Sequence, residues 1–201
     1  MQRLLKVHQD WCDLLLAEPS LFTVIDTYPI ELLFPIREGR SQRQIGRKGK
    51  DKGRWSVGVK LCWLLDDHGR VVQSRAHCIG INWDWNTMNT HDKHFHHVAE
   101  PFIDQTFVFA DIGFRSADGY PANLKLCAKG TWNERMYVET ALSMVTVVCD
   151  LKRLRHRVAD YITARLAYVS AMFNVLLDLS RHLDPDPKAD PYRMSIAQFS
   201  L

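Results

Sequence analysis

Apolar and polar positions along the chain fall into separable patterns. Over residues 2 to 18, Leu4, Leu5, Trp11, Leu14 and Leu15 recur on one helical face until Glu18-Pro19-Ser20 stops the run. Residues 21 to 25, LFTVI, are β-branched and aromatic, which predicts a buried strand with Asp26 directly behind it. WSVGVKLCWLL and RVVQSRAHCI, parted by Asp66-Asp67-His68-Gly69, predict a β-hairpin, and residues 91 to 103 suit a short helix. TFVFAD, residues 106 to 111, is another apolar strand ending in an acid, and NLKLCAKG predicts a fifth strand after the DGYP turn. From Trp132 to Leu183 there is neither glycine nor proline, so the pattern predicts one very long helix, or two joined near the basic KRLRHR.

Strands first, then a helix, more strands and finally helices predict an α/β layer: a five-stranded mixed sheet flanked by helices. The expected organisation is an N-terminal helix over 1–19, one main domain over 20–183 and a proline-punctuated, flexible tail over 184–201. An apolar fraction of 46% with 24% charged residues is ordinary for a globular protein. No charged-then-apolar leader opens the chain and no long uninterrupted apolar run occurs, so the expectation is a cytoplasmic protein without a membrane span. Five widely spaced cysteines with no CxxC pair predict reduced thiols rather than a disulfide frame or zinc ribbon.

The net charge of +3 is slight, but residues 37 to 54 hold eight Lys or Arg against Glu38 and Asp51. With four glycines and almost no apolar residue, this basic stretch predicts a mobile loop.

Asp26 and Asp111 share a context, each ending an apolar strand. Two carboxylates about 4 Å apart repel by about 4 kcal/mol at an effective dielectric of about 20, so a positive group should lie between them, and neither strand supplies a Lys or Arg. On the helix that follows, Trp132, Arg135, Glu139, Leu142, Ser143 and Thr146 share one stripe, which offers Glu139 as a third acid. Oxygen ligands of this kind suit magnesium or manganese. The competing reading makes the aspartates turn or cap residues and pairs Glu139 with Arg135. In HDKHFHH, residues 91 to 97, His91 and His94 with Asp84 or Cys78 invite a zinc hypothesis, but the spacing favours a polar helix surface. Trp83 and Trp85 could stack on bases or simply pack.

The runs IDTYPIELLFPIREGRS, IGRKGK, KLCWLL, FADIGFRSADGYPANLKLCAKGTWNERMYVETALSMVT and RLAYVSAMFN resemble the DDE catalytic domain of bacterial insertion-sequence transposases, in the insertion-sequence-four superfamily. The likeness covers roughly residues 20 to 180. It implies a ribonuclease-H-like fold with Asp26 on the first strand, Asp111 ending the fourth and Glu139 on a later helix. The family signature around the glutamate is an aromatic, two residues, arginine, three residues, glutamate, six residues, lysine. Trp132, Arg135 and Glu139 fit it, while Thr146 stands at the lysine position and Trp132 replaces the usual tyrosine, a departure in the part tied to DNA-hairpin handling.

The implied activity is metal-dependent cleavage and strand transfer of DNA. Asp26 would bridge two Mg²⁺ or Mn²⁺ ions, Asp111 and Glu139 would each complete one, and Arg135 would steady Glu139 or hold a phosphate. Arg37, Arg40, Arg43, Arg47, Lys48, Lys50 and Arg54 would follow a DNA backbone, with Lys125, Lys129 and Trp132 as further contacts. The implied partners are double-stranded DNA, as transposon ends and target, and a second copy of the chain, in the cytoplasm at the nucleoid. About twenty residues precede the first catalytic strand, where the family carries a longer end-recognition region. The alternative expectation is therefore a truncated, non-catalytic DNA-binding remnant.

Overall fold

The computed structural model describes residues 20–51, 53–72, 83–128, 135–152, 154–156 and 158–183. The expected N-terminal helix, the tail from 184, and Cys12 and Cys78 lie outside them. The described residues form a six-stranded mixed sheet with two α-helices. The strands are β1 (Phe22–Leu33), β2 (Arg47–Asp51), β3 (Arg54–Asp66), β4 (Trp83–Thr87), β5 (Phe107–Ala110) and β6 (Leu124–Leu126). They run in the order β2-β3-β1-β5-β6, and β4 pairs with the same strand as β2, farther along β3. β1 is antiparallel to β3 and parallel to β5, which is in turn parallel to β6.

Alternation along β1 and β3 builds two cores, because successive side chains of a strand point to opposite faces. Val24, Ile30 and Leu32 with Val57, Val59, Leu61, Trp63 and Leu65 meet the helices α1 (Arg135–Val148) and α2 (Ala159–Leu183). Ile25, Cys62 and Leu64 meet Phe95, Phe102 and Phe114, carried by short 3₁₀ turns, on the other face. Phe95, Phe102 and Phe114 are fully buried, and each contributes about 1.5–3 kcal/mol by leaving water. α2 is long and apolar enough by composition to cross a membrane, but Ile162, Leu166, Phe173 and Leu177 on it are buried in the helix-side core. Asn174 also fixes it to the sheet, accepting from Val71 N at 2.8 Å and donating to Val71 O at 3.0 Å.

Several expectations are corrected. The basic segment is not wholly a loop: residues 47 to 51 pair with β3 as β2, with Arg47, Lys48 and Lys50 exposed and Gly49 buried. The cross-strand hydrogen bonds to β3 hold it there despite its polar composition. The first strand does not stop at Ile25 but runs to Leu33, since β3 continues to pair with it beyond Asp26. The turn at 66–69 forms as expected, with Gly69 N donating to Asp66 O at 2.9 Å. Beyond it only Val71 makes a bridge, to Leu65, and residues 73–82 lie outside the described set. The segment 91–103 is helical as expected, but as two 3₁₀ helices, Asp92–Val98 and Glu100–Phe102. The chain after 135 takes the two-helix alternative, with 149–158 as the joint.

The histidine segment is the expected polar helical surface, with His91, His94 and His97 exposed, and hydrogen bonds hold it in place. His96 Nε2 lies 2.6 Å from Phe114 O, and His97 engages His94 O and Asp84 Oδ2, both at 3.0 Å. The hydrogen bond from Asp84 raises the His97 pKa against the opposing effect of burial. A raised folded-state value means that this bond stabilises the fold fully below the unfolded histidine value of about 6.5 and fades as pH climbs through the folded value. Asp84→Asn should therefore lower the urea midpoint more in mildly acidic than in alkaline buffer. An equal loss at both would show that the pair does not titrate as described.

Gly58 is the tightest point of the β1–β3 ladder. A Cβ there would stand 2.0 Å from Ile30 O and 2.9 Å from Met88 Cε. Gly58→Ala should destabilise the protein by about 3 kcal/mol or more, read as a lowered urea midpoint, because backbone rather than a side-chain tip must move.

Candidate active site

β1 and β5 pair only over Phe22↔Phe107, Thr23↔Val108 and Val24↔Phe109. Asp26 lies two residues beyond the last paired residue of β1 and Asp111 two beyond that of β5, at the point where the two strands part and only β3 still pairs with β1. Crevices of this kind, beyond the carboxyl ends of parallel strands, are where open sheets receive ligands. The exposed edge of β1 is satisfied residue by residue. Thr27 N donates to Asp26 Oδ1 at 2.7 Å, Pro29 has no N–H to satisfy, and Glu31 N donates to Lys152 O at 3.2 Å. Leu154 N returns to Glu31 O at 3.0 Å, so the joint between the helices closes the far end of the gap.

The gap is a pocket of about 580 Å³. Asp26, Asp111 and Glu139 all line it, with Leu142, Ser143 and Thr146 from the same stripe of α1. Asp26 and Asp111 are half-buried and Glu139 is exposed. Asp111 caps the 3₁₀ turn Ile112–Phe114, its Oδ1 accepting from Gly113 N at 2.8 Å. The cap reading and the pocket reading thus hold together for this residue. Tyr28, two residues after Asp26, hydrogen-bonds through its hydroxyl to Thr146 Oγ1 and ties β1 to α1. Thr146, at the signature's lysine position, therefore has a positioning contact of its own.

The sequence reading missed Asp92 and Lys60. Lys60 Nζ donates to Asp92 Oδ1 at 2.9 Å and to Thr90 O at 2.8 Å, and Thr27 Oγ1 donates to the same Asp92 oxygen at 2.9 Å. The other oxygen, Oδ2, faces Asp111 across Gly113: a Cβ at Gly113 would stand 2.7 Å from Asp92 Oδ2 and 2.9 Å from Asp111 Oδ1. Glycine is needed there because the two carboxylates occupy the space. The positive groups absent from the acids' own strands thus come from Lys60 on β3 and Lys50 on β2, both lining the pocket. Burial pushes the Cys62 thiol well above its usual range, and the negative fields of Asp26, Asp92 and Asp84 push it further while Lys60 opposes them. A lone lysine within the apolar run of β3 was the available signal for Lys60. Asp92 carried none, being one polar residue among histidines.

The remaining expected residues divide. Lys50 lines the acid pocket, whereas Arg37, Arg40 and Arg43 surround a separate cavity. Arg47 and Lys48 are exposed on β2, and Lys48 and Lys50 lie 5.2 and 6.0 Å from the ring centre of Trp55. Arg54 Nη2 stands 4.0 Å from Glu31 Oε2, and Lys125 lies 5.7 Å from the Phe107 ring. Lys129 and Trp132 fall outside the described residues, as does the side chain of Arg135, the first residue of α1. Trp85 donates from Nε1 to Thr163 Oγ1 at 3.0 Å, and Trp83 is buried, so both tryptophans pack.

Among the described residues no three His, Cys, Asp or Glu side chains cluster closely enough to hold a metal ion. The donor chemistry nonetheless suits a hard divalent cation: the carboxylates of one pocket supply oxygens alone. No family model matches the chain, and neither curated proteins nor solved structures give a significant match.

The Lys60–Asp92 pair is about one-fifth exposed on each side, so removing one partner strands the other in a poorly solvated position. Lys60→Met should cost about 1–2 kcal/mol after allowing for solvent screening, and Lys60→Met combined with Asp92→Leu should cost less than the two single changes added together. Strict additivity in urea denaturation would show that the pair is not coupled.

Proposed function

We propose that the chain is a DDE-type transposase catalytic domain, acting by phosphoryl transfer on DNA, with Asp26, Asp111 and Glu139 as its catalytic acids. The observation that carries this reading is the shared pocket: Asp26 from β1, Asp111 from just after β5 and Glu139 from α1 all line it, where the parallel pairing of β1 and β5 has ended. The resemblance in sequence words points to the same three residues. A sheet whose antiparallel strands continue into two parallel ones, with both α-helices packed in one core, also favours the finer assignment of a ribonuclease-H-like fold.

In this reading Asp26, Asp111 and Glu139 would hold Mg²⁺ or Mn²⁺, which supplies activation of a water or 3′-hydroxyl and stabilisation of the leaving oxygen. The protein's own groups perform the rest. The hydrogen bonds from Thr27 N and Gly113 N orient the carboxylates of Asp26 and Asp111 at the pocket. Lys50, on the pocket wall, supplies positive charge where a strand phosphate enters, and Lys60 restrains Asp92 from adding its full repulsion to the site. Duplex DNA is the substrate, a second copy of the chain is the partner expected for paired ends, and the nucleoid is the place of action.

The competing reading is a DNA-binding remnant without chemistry. Supercoiled plasmid separates the two. With magnesium or manganese the purified protein should nick it, chelation should stop the reaction, and Asp111→Asn should slow it by about a hundredfold or more. Nicking that survives Asp111→Asn unchanged, or chelation, would remove these acids from the chemistry. DNA binding with no nicking under any metal would leave the remnant.

A further inference from the structure

A second cavity, of about 540 Å³, lies at the far end of β1, away from the acids. Leu32, Leu33, Ile45 and Val158 give it apolar walls. Arg37, Arg40 and Arg43 stand around it, with His156 from the joint between the helices. No ion pair to any of these three arginines is formed among the described residues.

The loop that carries them has a fixed shape. Gly39 N donates to Gln44 Oε1 at 2.6 Å, Gln44 Nε2 donates to Gly46 O at 3.1 Å, and Arg43 N donates to Ser41 Oγ at 3.2 Å. Glu38, the acid among the arginines, is turned away to accept from Lys48 N at 2.9 Å. Gly46 ends the loop at φ +80°, packed so closely on Gly58 that a Cβ would lie 2.3 Å from Gly58 O. Three arginines on a backbone so fixed thus line a partly apolar hollow of a size that encloses small ligands. Arginine forks match phosphate oxygens, while an apolar floor receives the face of a planar ring.

We propose that this cavity binds one nucleotide unit of an unpaired nucleic-acid strand, its phosphate on Arg40 and Arg43 and its base against Ile45 and Val158. Nucleic acid is favoured over an acidic or phosphorylated peptide because the positive track continues along β2 through Arg47, Lys48 and Lys50 to exposed Trp55. The inference needs nucleic acid as ligand but no chemistry at the acid pocket.

The test is fluorescence anisotropy of the full chain with a short labelled oligothymidylate in EDTA, so that plasmid nicking and strand binding are read separately. Arg40→Gln with Arg43→Gln should weaken binding by about tenfold and flatten the dependence of log affinity on log salt by about 0.7, as for one phosphate of a single strand. An abasic strand of equal length should bind wild type more weakly than the oligothymidylate. Val158→Asp, at a half-exposed position that the fold tolerates, should erase that preference while the urea midpoint holds. A double variant that binds like wild type, an abasic strand that binds as well as the normal one, or polyglutamate that competes as well as oligothymidylate would each overturn the proposal. Competition by thymidine monophosphate as strong as by the strand would keep the nucleotide chemistry and assign its source to a free nucleotide.

Discussion

The candidate active site depends on a place where the sheet fails to close. β5 stops pairing with β1 after Phe109, while β3 continues to pair with β1 as far as Leu33. A strand edge left without a neighbour exposes N–H groups that must be satisfied, and this edge satisfies them with Asp26, with a proline, and with the backbone of the helix joint. The same devices leave an opening instead of filling it. Pro29 is tolerated for this reason: within a fully paired central strand it would interrupt a ladder, but here it stands at an edge.

Charge follows from that opening. Five acids, Asp26, Asp51, Asp92, Asp111 and Glu139, line the pocket against Lys50, Lys60 and Lys152, so its interior is negative although the chain as a whole is positive. The basic hairpin β2–β3 borders it, and Lys50 belongs to both. A negative pocket beside a positive ridge suits a cation in one and a polyanion along the other. The fixed loop over residues 38–46 extends the ridge to a second cavity on the same strand.

Much was legible along the chain because it is encoded in local periodicity. The apolar run behind Asp26, the strand ending at Asp111 and the glycine-free helices each bury one face, and burial imposes a period of two or 3.6 on the residues that face the core. Elements held by partners rather than by their own pattern were not legible. β2 has almost no apolar residues and exists because β3 offers it hydrogen bonds, and the segment 91–103, legible as helical, coils as 3₁₀ turns around Phe95 and Phe102.

The sequence by itself determined that apolar strand segments lead into Asp26 and Asp111, where basic charge gathers and which residues form the cores, since each of these is a property of neighbouring positions. Only the tertiary structure decided that Asp26 and Asp111 line one pocket, that Lys60 meets Asp92, and that Arg37, Arg40 and Arg43 surround a hollow rather than follow an edge. Those pairings join residues far apart in the chain. They are fixed by which strand lies beside which, and no local period carries that information.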